Sequence, residues 1–377
     1  MLGLYVHIPF CSAICNYCNF TRGLYDAGVK GRYVEALLGE IRGQADGAPA
    51  DTVYFGGGTP SLLEPDEIAR ILTECGGAFD VAPGAEVTIE ANPETLTQAR
   101  LEGFRAAGVN RISLGVQSLR DEELARLSRV HSAARAREAV GAARAAGFDN
   151  LSLDLMMWLP QQSVADWLES IDGLVALDPD HASLYLLEVY PNAPLREAMA
   201  RGRWSVAPDD DAAEMYLQGM ERLEAAGYVQ YEISNVARPG RASRHNLKYW
   251  TDGEWLAFGC GAHGTRDGVR WRNVTGIDAY VSMVAGGRPP VAERRPLSAA
   301  EHLEEALITG LRLAEGVPLP ALEERFGVDV WARHGAELAP FVNAGLLIYD
   351  DGLIRLSRAG MLLANEIMAV FISPPVR

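Results

Sequence analysis

The feature that most limits how this chain can fold is an alternation of short apolar runs and helical patterns through its first half. Leu4–Ile8, Thr52–Phe55, Glu86–Glu90, Arg111–Leu114, Leu151–Leu155 and Ala182–Leu187 read as six strands. Amphipathic stretches lie between them. In Arg32–Ile41 the residues Val34, Leu37, Leu38 and Ile41 share one helical face, and Ser163 is placed to cap a helix running to Leu177. Strand and helix alternating in units of roughly 30–40 residues predict a parallel sheet, because parallel neighbours need a long crossover. Six units suit an α/β fold of the open (β/α)6 type, a partial TIM barrel, better than a closed eight-unit one. In such folds the chemistry collects at the C-terminal ends of the strands.

The repeat stops near residue 190, so residues 1–190 are expected to form the core. Residues 191–296 read as an extension, with a long helix over Asp209–Ala226, a strand region over Tyr228–Ser234 and a His-, aromatic- and Gly-rich stretch over Gly240–Gly264. Residues 297–377 read as a winged-helix-like domain. It has helices over Glu301–Leu313, Pro318–Arg325 and Trp331–Asn343, a hairpin turning at Asp350-Asp351-Gly352, and a last helix over Arg358–Val370.

The formal net charge of −16 argues against a broad phosphate-binding surface and hence against a nucleic-acid partner. In this acidic chain the C-terminal unit is expected to be a lid or partner-docking module. There are five cysteines, an odd number, and three crowd into one short stretch, which is not a disulfide framework. The N-terminal residues lack a basic region and a cleavage site. No apolar run reaches the ~18 residues that span a bilayer. The expected setting is the cytoplasm, without an integral membrane segment; peripheral association stays open.

The crowded cysteines, Cys11, Cys15 and Cys18, follow the first strand in a C-x3-C-x2-C pattern. Thiolates suit iron–sulfur clusters or zinc. Zinc would want a fourth ligand, for which His7 is the local candidate. A four-iron cluster held by three cysteines keeps one iron open to another ligand. The other strand ends carry Gly56-Gly57-Gly58-Thr59-Pro60, Glu90, Gly115-Val116-Gln117 and Asp154. Glycines let the backbone approach a ligand, though such a run also makes a simple turn. Glu90 can accept from ribose hydroxyls or serve as a capping or surface acid. Asp154, inside an apolar strand, needs a partner, and a structural ion pair would supply one.

The cysteine spacing, with Tyr17 before the third cysteine, resembles the radical S-adenosylmethionine (SAM) superfamily. That resemblance implies a [4Fe-4S] cluster on Cys11, Cys15 and Cys18, with SAM on the open iron and one-electron cleavage to a 5′-deoxyadenosyl radical. Tyr5-Val6-His7-Ile8-Pro9-Phe10-Cys11, the GGGTP run, Glu90-Ala91-Asn92-Pro93, Gly115-Val116-Gln117, Asp154 and Leu159-Pro160 narrow it to the oxygen-independent coproporphyrinogen III oxidase family, over nearly the whole chain. The family implies SAM against Tyr5, Gly57 and Glu90. It implies a second SAM against Tyr17, Gly58, Thr59, Gln117, Arg129 and Asp154.

Two departures point within the family. Phe20 stands where the decarboxylase has a fourth cysteine, and the chain begins almost at the first strand. Both resemble the heme-chaperone branch, HemW. His245-Asn246-Leu247-Lys248-Tyr249-Trp250 resembles that branch's H-N-x-x-Y-W motif, implying heme ligation by His245 with Tyr249 and Trp250 against the macrocycle. Read without the family, such a histidine is a hydrogen-bonded structural residue. Gly259–Gly264 is expected to close over the site as a tight loop, with Cys260 and His263 either candidate ligands or, the reading preferred, parts of a packed loop. Met157-Trp158 stands where the family has a glycine before Leu-Pro, so Trp158 is expected to crowd the barrel mouth. The implied function is a heme carrier with a reductant such as flavodoxin or ferredoxin and an acceptor such as a respiratory hemoprotein. Alternatives are a related methyltransferase using two SAM molecules, the decarboxylase itself, which Phe20 weakens, and a non-redox zinc protein.

Overall fold

Each core strand alternates apolar side chains, which face helices, with polar ones, which face a lumen, and this alternation sets the layers. In the computed structural model, which describes residues 1–372, the six strands are β1 (Leu2–Ile8), β2 (Pro49–Gly57), β3 (Asp80–Ala91), β4 (Arg111–Gln117), β5 (Leu151–Met157) and β6 (His181–Leu186). They pair in parallel in chain order. Helices α1 (Ala27–Gly43), α2 (Pro65–Ala78), α3 (Gln98–Ala107), α4 (Asp121–Arg126), α5 (Ala133–Ala145) and α6 (Val164–Leu177) provide the crossovers. Asp26, Thr97, Ser132 and Ser163 each cap a helix by accepting an amide hydrogen bond, and Ser163 forms a reciprocal box with Asp166. Leu4, Val6, Ile8, Val53, Phe55, Ile112 and Leu153 belong to the buried core under those helices.

The predicted open barrel is present, with additions at both edges. The chain continues through α7 (Pro194–Gly202), α8 (Asp209–Ala225), β7 (Val229–Glu232), β8 (Asn235–Ala237), α9 (Arg244–Trp250), β9 (Trp255–Phe258), β10 (His263–Arg266), β11 (Val269–Asn273), α10 (Ile277–Ala285) and β12 (Val291–Pro296). β9 lies parallel to β1 on its outer edge, and β10, β11 and β12 extend the sheet as antiparallel strands. β8 pairs antiparallel with β6 and carries β7 beyond it. The result is one 12-stranded sheet. β9 has no alternation to announce it, since Leu256, Ala257 and Phe258 are all buried.

The C-terminal part holds α11 (Ala299–Gly310), β13 (Val317–Pro318), α12 (Leu319–Phe326), α13 (Val330–Asn343), β14 (Leu347–Asp350) and β15 (Leu353–Leu356), with the three strands ordered β13-β15-β14. The expected last helix is broken into α14 (Arg358–Leu362) and α15 (Ala364–Met368). The Leu363 amide bonds back to Gly360 O, tightening the turn there. The final five residues of the expected 297–377 unit lie outside the described residues.

α9 lies across the N-terminal end of the barrel. Gly3 has no Cβ, and one added there would lie 3.0 Å from the His245 ring. Lys248 Nζ bonds Met1 O and pairs with Asp51, beside the start of β2. The Glu86 carboxylate, buried on β3, accepts from the backbone amides of Arg244 and His245 at 3.0 Å each. It satisfies two of the donors that a helix start leaves free. Replacing Glu86 by Ala should cost roughly 1–3 kcal/mol for each amide left buried without an acceptor. The check is the urea unfolding midpoint; an unchanged midpoint would show that α9 needs no cap from the barrel.

Candidate cofactor site at the barrel mouth

Parallel register brings the strand ends to a common height, and the cysteine loop rises from the first of them. Cys11 is buried at its base, while Cys15 and Cys18 are half-buried. The loop is tied down at several points. Gly23 N bonds Pro9 O at 2.7 Å, Tyr25 N bonds Cys11 O at 2.9 Å, and Asn16 Nδ2 donates to Arg126 O at 2.8 Å. His7 is a brace for the loop: its Nε2 lies 2.9 Å from Thr21 O and its Nδ1 3.1 Å from the Tyr5 hydroxyl. Burial lowers the His7 pKa, so the ring is a neutral hydrogen-bonding strut.

A polar arc joins two of the thiols through three strand ends. Thr59 Oγ1 approaches Cys11 Sγ at 3.7 Å and accepts from Asn92 Nδ2 at 3.1 Å. Asn92 Oδ1 accepts from Arg129 Nη2 at 2.7 Å, and that nitrogen also donates to Gly115 O. Arg129 Nη1 reaches Cys15 Sγ at 3.6 Å. Burial alone would lower Arg129, but Tyr17, Cys15 and Glu94 hold it above its ordinary value. The thiols of Cys11 and Cys18 are pushed up, chiefly by burial, with Thr59 easing Cys11 and the Phe20 backbone and Arg22 easing Cys18. Among the described residues, no three His, Cys, Asp or Glu side chains form a site for one metal ion. The three thiols sense one another electrostatically without converging on one point.

The GGGTP turn is glycine by necessity. Gly57 has φ 118°, and a Cβ there would lie 2.5 Å from the His7 ring. A Cβ on Gly58 would meet Phe10 O at 2.8 Å and Cys11 Sγ at 3.0 Å. Gly57 N donates to Glu90 Oε2 at 3.1 Å, and Tyr54 donates its hydroxyl hydrogen to Oε1 at 2.8 Å. Burial pushes the Glu90 carboxyl up to about 7, opposed by the Tyr54 bond and reinforced by Asp154. Asp154 accepts from Ser113 Oγ at 3.1 Å, and burial pushes it up to about 6. Tyr5 stacks on Tyr54 in the lumen, with ring centroids 6.2 Å apart. Tyr17 packs against the small cluster of Leu127, Met156, Leu159, Leu187 and Leu195, and Gln117, the last residue of β4, takes φ 66°.

Tyr5, Tyr17, Gly57, Gly58, Thr59, Glu90, Gln117, Arg129 and Asp154 therefore share the mouth and lumen with the three cysteines. His245 does not. It is buried at the opposite end, its Nδ1 2.8 Å from Thr52 Oγ1, its Nε2 3.0 Å from the Tyr249 hydroxyl, and its ring stacked on Tyr54 at 5.0 Å. Burial lowers its pKa to about 3. To ligate heme, as expected from sequence, it would have to give up one of those bonds and leave the floor.

The Gly259–Gly264 loop packs behind the cysteine loop rather than over it: Cβ atoms on Gly259 or Gly261 would strike His7 O or Thr21. Cys260 is buried there, its thiol pushed up to about 11 by burial, and His263 is exposed. Trp158 does not crowd the mouth. It takes φ 62°, the left-handed backbone a glycine would adopt without strain, and its indole Nε1 donates to Ala207 O at 2.8 Å.

Two residues escaped the sequence reading as site members. Asn92 stood in a quoted motif, but its link between Thr59 and Arg129 depends on register. Arg111 opens β4 like an ordinary flanking charge, yet it is 1% exposed, forms no ion pair among the described residues, and acts on Glu90 and Asp154 through space.

Comparison with known proteins agrees with this architecture. Residues 5–174 match the radical SAM superfamily and residues 297–363 the HemN C-terminal domain. The chain is 34% identical to the Bacillus subtilis heme chaperone HemW, covering 99% of both chains. It is 39% identical to HemW of Mycobacterium tuberculosis, covering 97% of this chain and 93% of the relative. The chain belongs to the HemN/HemW family of radical SAM proteins. Coproporphyrinogen III oxidase HemN from Escherichia coli superposes with a TM-score of 0.87 at 23% identity, over 98% of this chain and 89% of the enzyme, and so shares the fold. Iron–sulfur and SAM binding are typical of the family. The residues here fit that pair: three thiols on one braced loop, two arginines beside them to offset thiolate charge, and a glycine turn that a Cβ would close.

Glu90 gives a pH signature. A carboxyl held near 7 when folded and near 4.5 when unfolded binds its proton more tightly in the native state. Its contribution favours folding below about 4.5, is lost as pH rises toward 7, and is then constant. Thermal unfolding of the cluster-free protein from pH 4 to 8 should therefore fall less steeply across that window in Glu90→Gln than in wild type. Parallel curves would show that Glu90 is ionised throughout.

Proposed function

We propose that this protein is a cytoplasmic heme chaperone of the HemW type, which takes up heme and passes it to an acceptor protein. The observation that carries this reading is the near-full-length similarity to proteins named heme chaperones. Phe20 supports it: the side chain is 69% exposed where the resembling decarboxylase has a fourth cysteine. Cys11, Cys15 and Cys18 would hold a [4Fe-4S] cluster, with Tyr5, Gly57 and Glu90 facing SAM. Cluster and SAM supply one-electron reductive chemistry when bound, fed by a flavodoxin or ferredoxin. The chain's own part is to brace the loop through His7 and Thr21, to offset thiolate charge with Arg22 and Arg129, and to keep a carboxylate at the lumen wall. The acceptor would dock on the winged-helix-like unit.

A second reading, a radical SAM enzyme using a second SAM molecule, draws on Gln117, Arg129 and Asp154 opening on the same mouth. Anaerobic reconstitution with iron and sulfide separates the two. The chaperone reading expects saturable one-to-one heme uptake and heme transfer to an apo-hemoprotein. Repeated SAM turnover on an added small molecule, without heme uptake, would establish the enzyme instead. Cys15→Ala should lose the visible thiolate–iron absorbance and most of the iron; retention of both would refute the cluster ligands.

A further inference from the structure

The extension beside β1 carries a feature that the cofactor site does not use. α1, α10 and strands β9 to β12 border a cleft of about 620 Å³, inside the roughly 300–1,000 Å³ of small-molecule sites. None of its lining residues belongs to the cysteine loop or the barrel mouth.

The two faces of β11 and β12 differ. On one, Arg270 pairs with Glu305, Arg272 with Glu293 and Arg295 with Glu301. On the other, Val269, Trp271 and Arg294 line the cleft. Arg294 stands opposite Trp271 in register, its guanidinium 6.0 Å from the ring centroid. Arg288, just past α10, reaches the same space, and Leu256 and Val284 complete an apolar wall. Neither Arg288 nor Arg294 has an ion-pair partner among the described residues, although the chain carries a net charge of −16.

We infer that this cleft is the seat for heme, with the porphyrin ring on Trp271, Leu256 and Val284 and its two propionates on Arg288 and Arg294. The inference rests on the chaperone reading and adds a location to it. The match is chemical: an apolar wall takes a flat ring, and two unmatched guanidiniums take two carboxylates. Among the described residues, no His, Cys, Met or Tyr lines the cleft. Glu40 at its edge is already occupied by Gly259 N, Asn273 and Tyr280. The seat therefore holds the porphyrin by its ring and carboxylates rather than by its iron, and His245 can stay in the barrel floor.

The test uses the full-length, cluster-reconstituted protein titrated with hemin and with iron-free protoporphyrin IX. The readouts are Soret absorbance and quenching of tryptophan fluorescence, with Trp271→Phe assigning the quenched residue. Both porphyrins should bind one-to-one with similar affinity. Arg288→Glu/Arg294→Glu should weaken both by about tenfold or more, Arg288→Lys/Arg294→Lys should retain most binding, and His245→Ala should match wild type. Both arginines are exposed, so an unchanged unfolding midpoint and cluster spectrum will show that the charge-reversed variant is folded. Wild-type heme uptake with equal uptake by the charge-reversed variant, or uptake of hemin alone, overturns this location and leaves the chaperone reading standing. Absence of saturable heme uptake by wild type overturns that reading itself.

Discussion

The parallel register of six strands is the constraint on which everything else depends. Because the strands run the same way and pair in register near their C-terminal ends, those ends finish together. The cysteine loop, the glycine turn, Asn92, Gly115 and Arg129 thereby come within hydrogen-bonding reach, although more than a hundred residues separate Cys15 from Arg129 in sequence. The same register sets the lumen: Tyr5 faces Tyr54, Thr88 faces Arg111, Glu90 faces Ser113, and Asp154 faces Ser183. A slip of one residue would turn this polar set into the helix layer and the aliphatic set into the lumen.

A polar lumen needs internal partners, since groups buried without them cost more than their bonds return. Here Glu90 and Asp154 are each held by a hydroxyl, and Arg111 supplies positive charge to both through space. At the far end α9 closes the floor with a histidine whose ring nitrogens are both engaged. One end is therefore built from ring nitrogens already engaged, the other from thiols and carboxylates beside a glycine turn.

What was legible in the sequence divides along physical lines. The six strands were readable because each alternates or runs apolar between helical patterns, and the cysteine spacing is local. Asp154 stood out as an acid in an apolar strand, and its Ser183 neighbour follows from pairing, whereas the Ser113 hydroxyl reaches it diagonally from β4. β9 was hidden because a strand buried on both sides shows no alternation. The position of His245 was hidden too, since a motif gives composition but not the end of the barrel on which its helix lies. Trp158 looked like an obstruction because a side chain's direction depends on its backbone; at φ 62° the indole turns to Ala207 instead. The cleft beside α10 had no linear signature, because Arg294 is distinguished from its neighbours only by the strand face it occupies and Arg288 sits in the connection after α10.

The central place of β1 in the sheet bears on how the molecule is assembled during synthesis. β1 leaves the ribosome first, yet it is flanked by β2 on one side and β9 on the other. Tyr33 and Glu40 of the first helix likewise take partners from the later chain, at Cys260, Asn273 and Tyr280. Contacts of such long sequence separation form late. Until residues 255–280 emerge, the strand that carries the cysteine loop has an open edge and its helix lacks a buried anchor. A nascent chain would thus expose the three thiols and an unpaired strand edge together until that segment arrives, the stretch in which protection from oxidation and aggregation matters most.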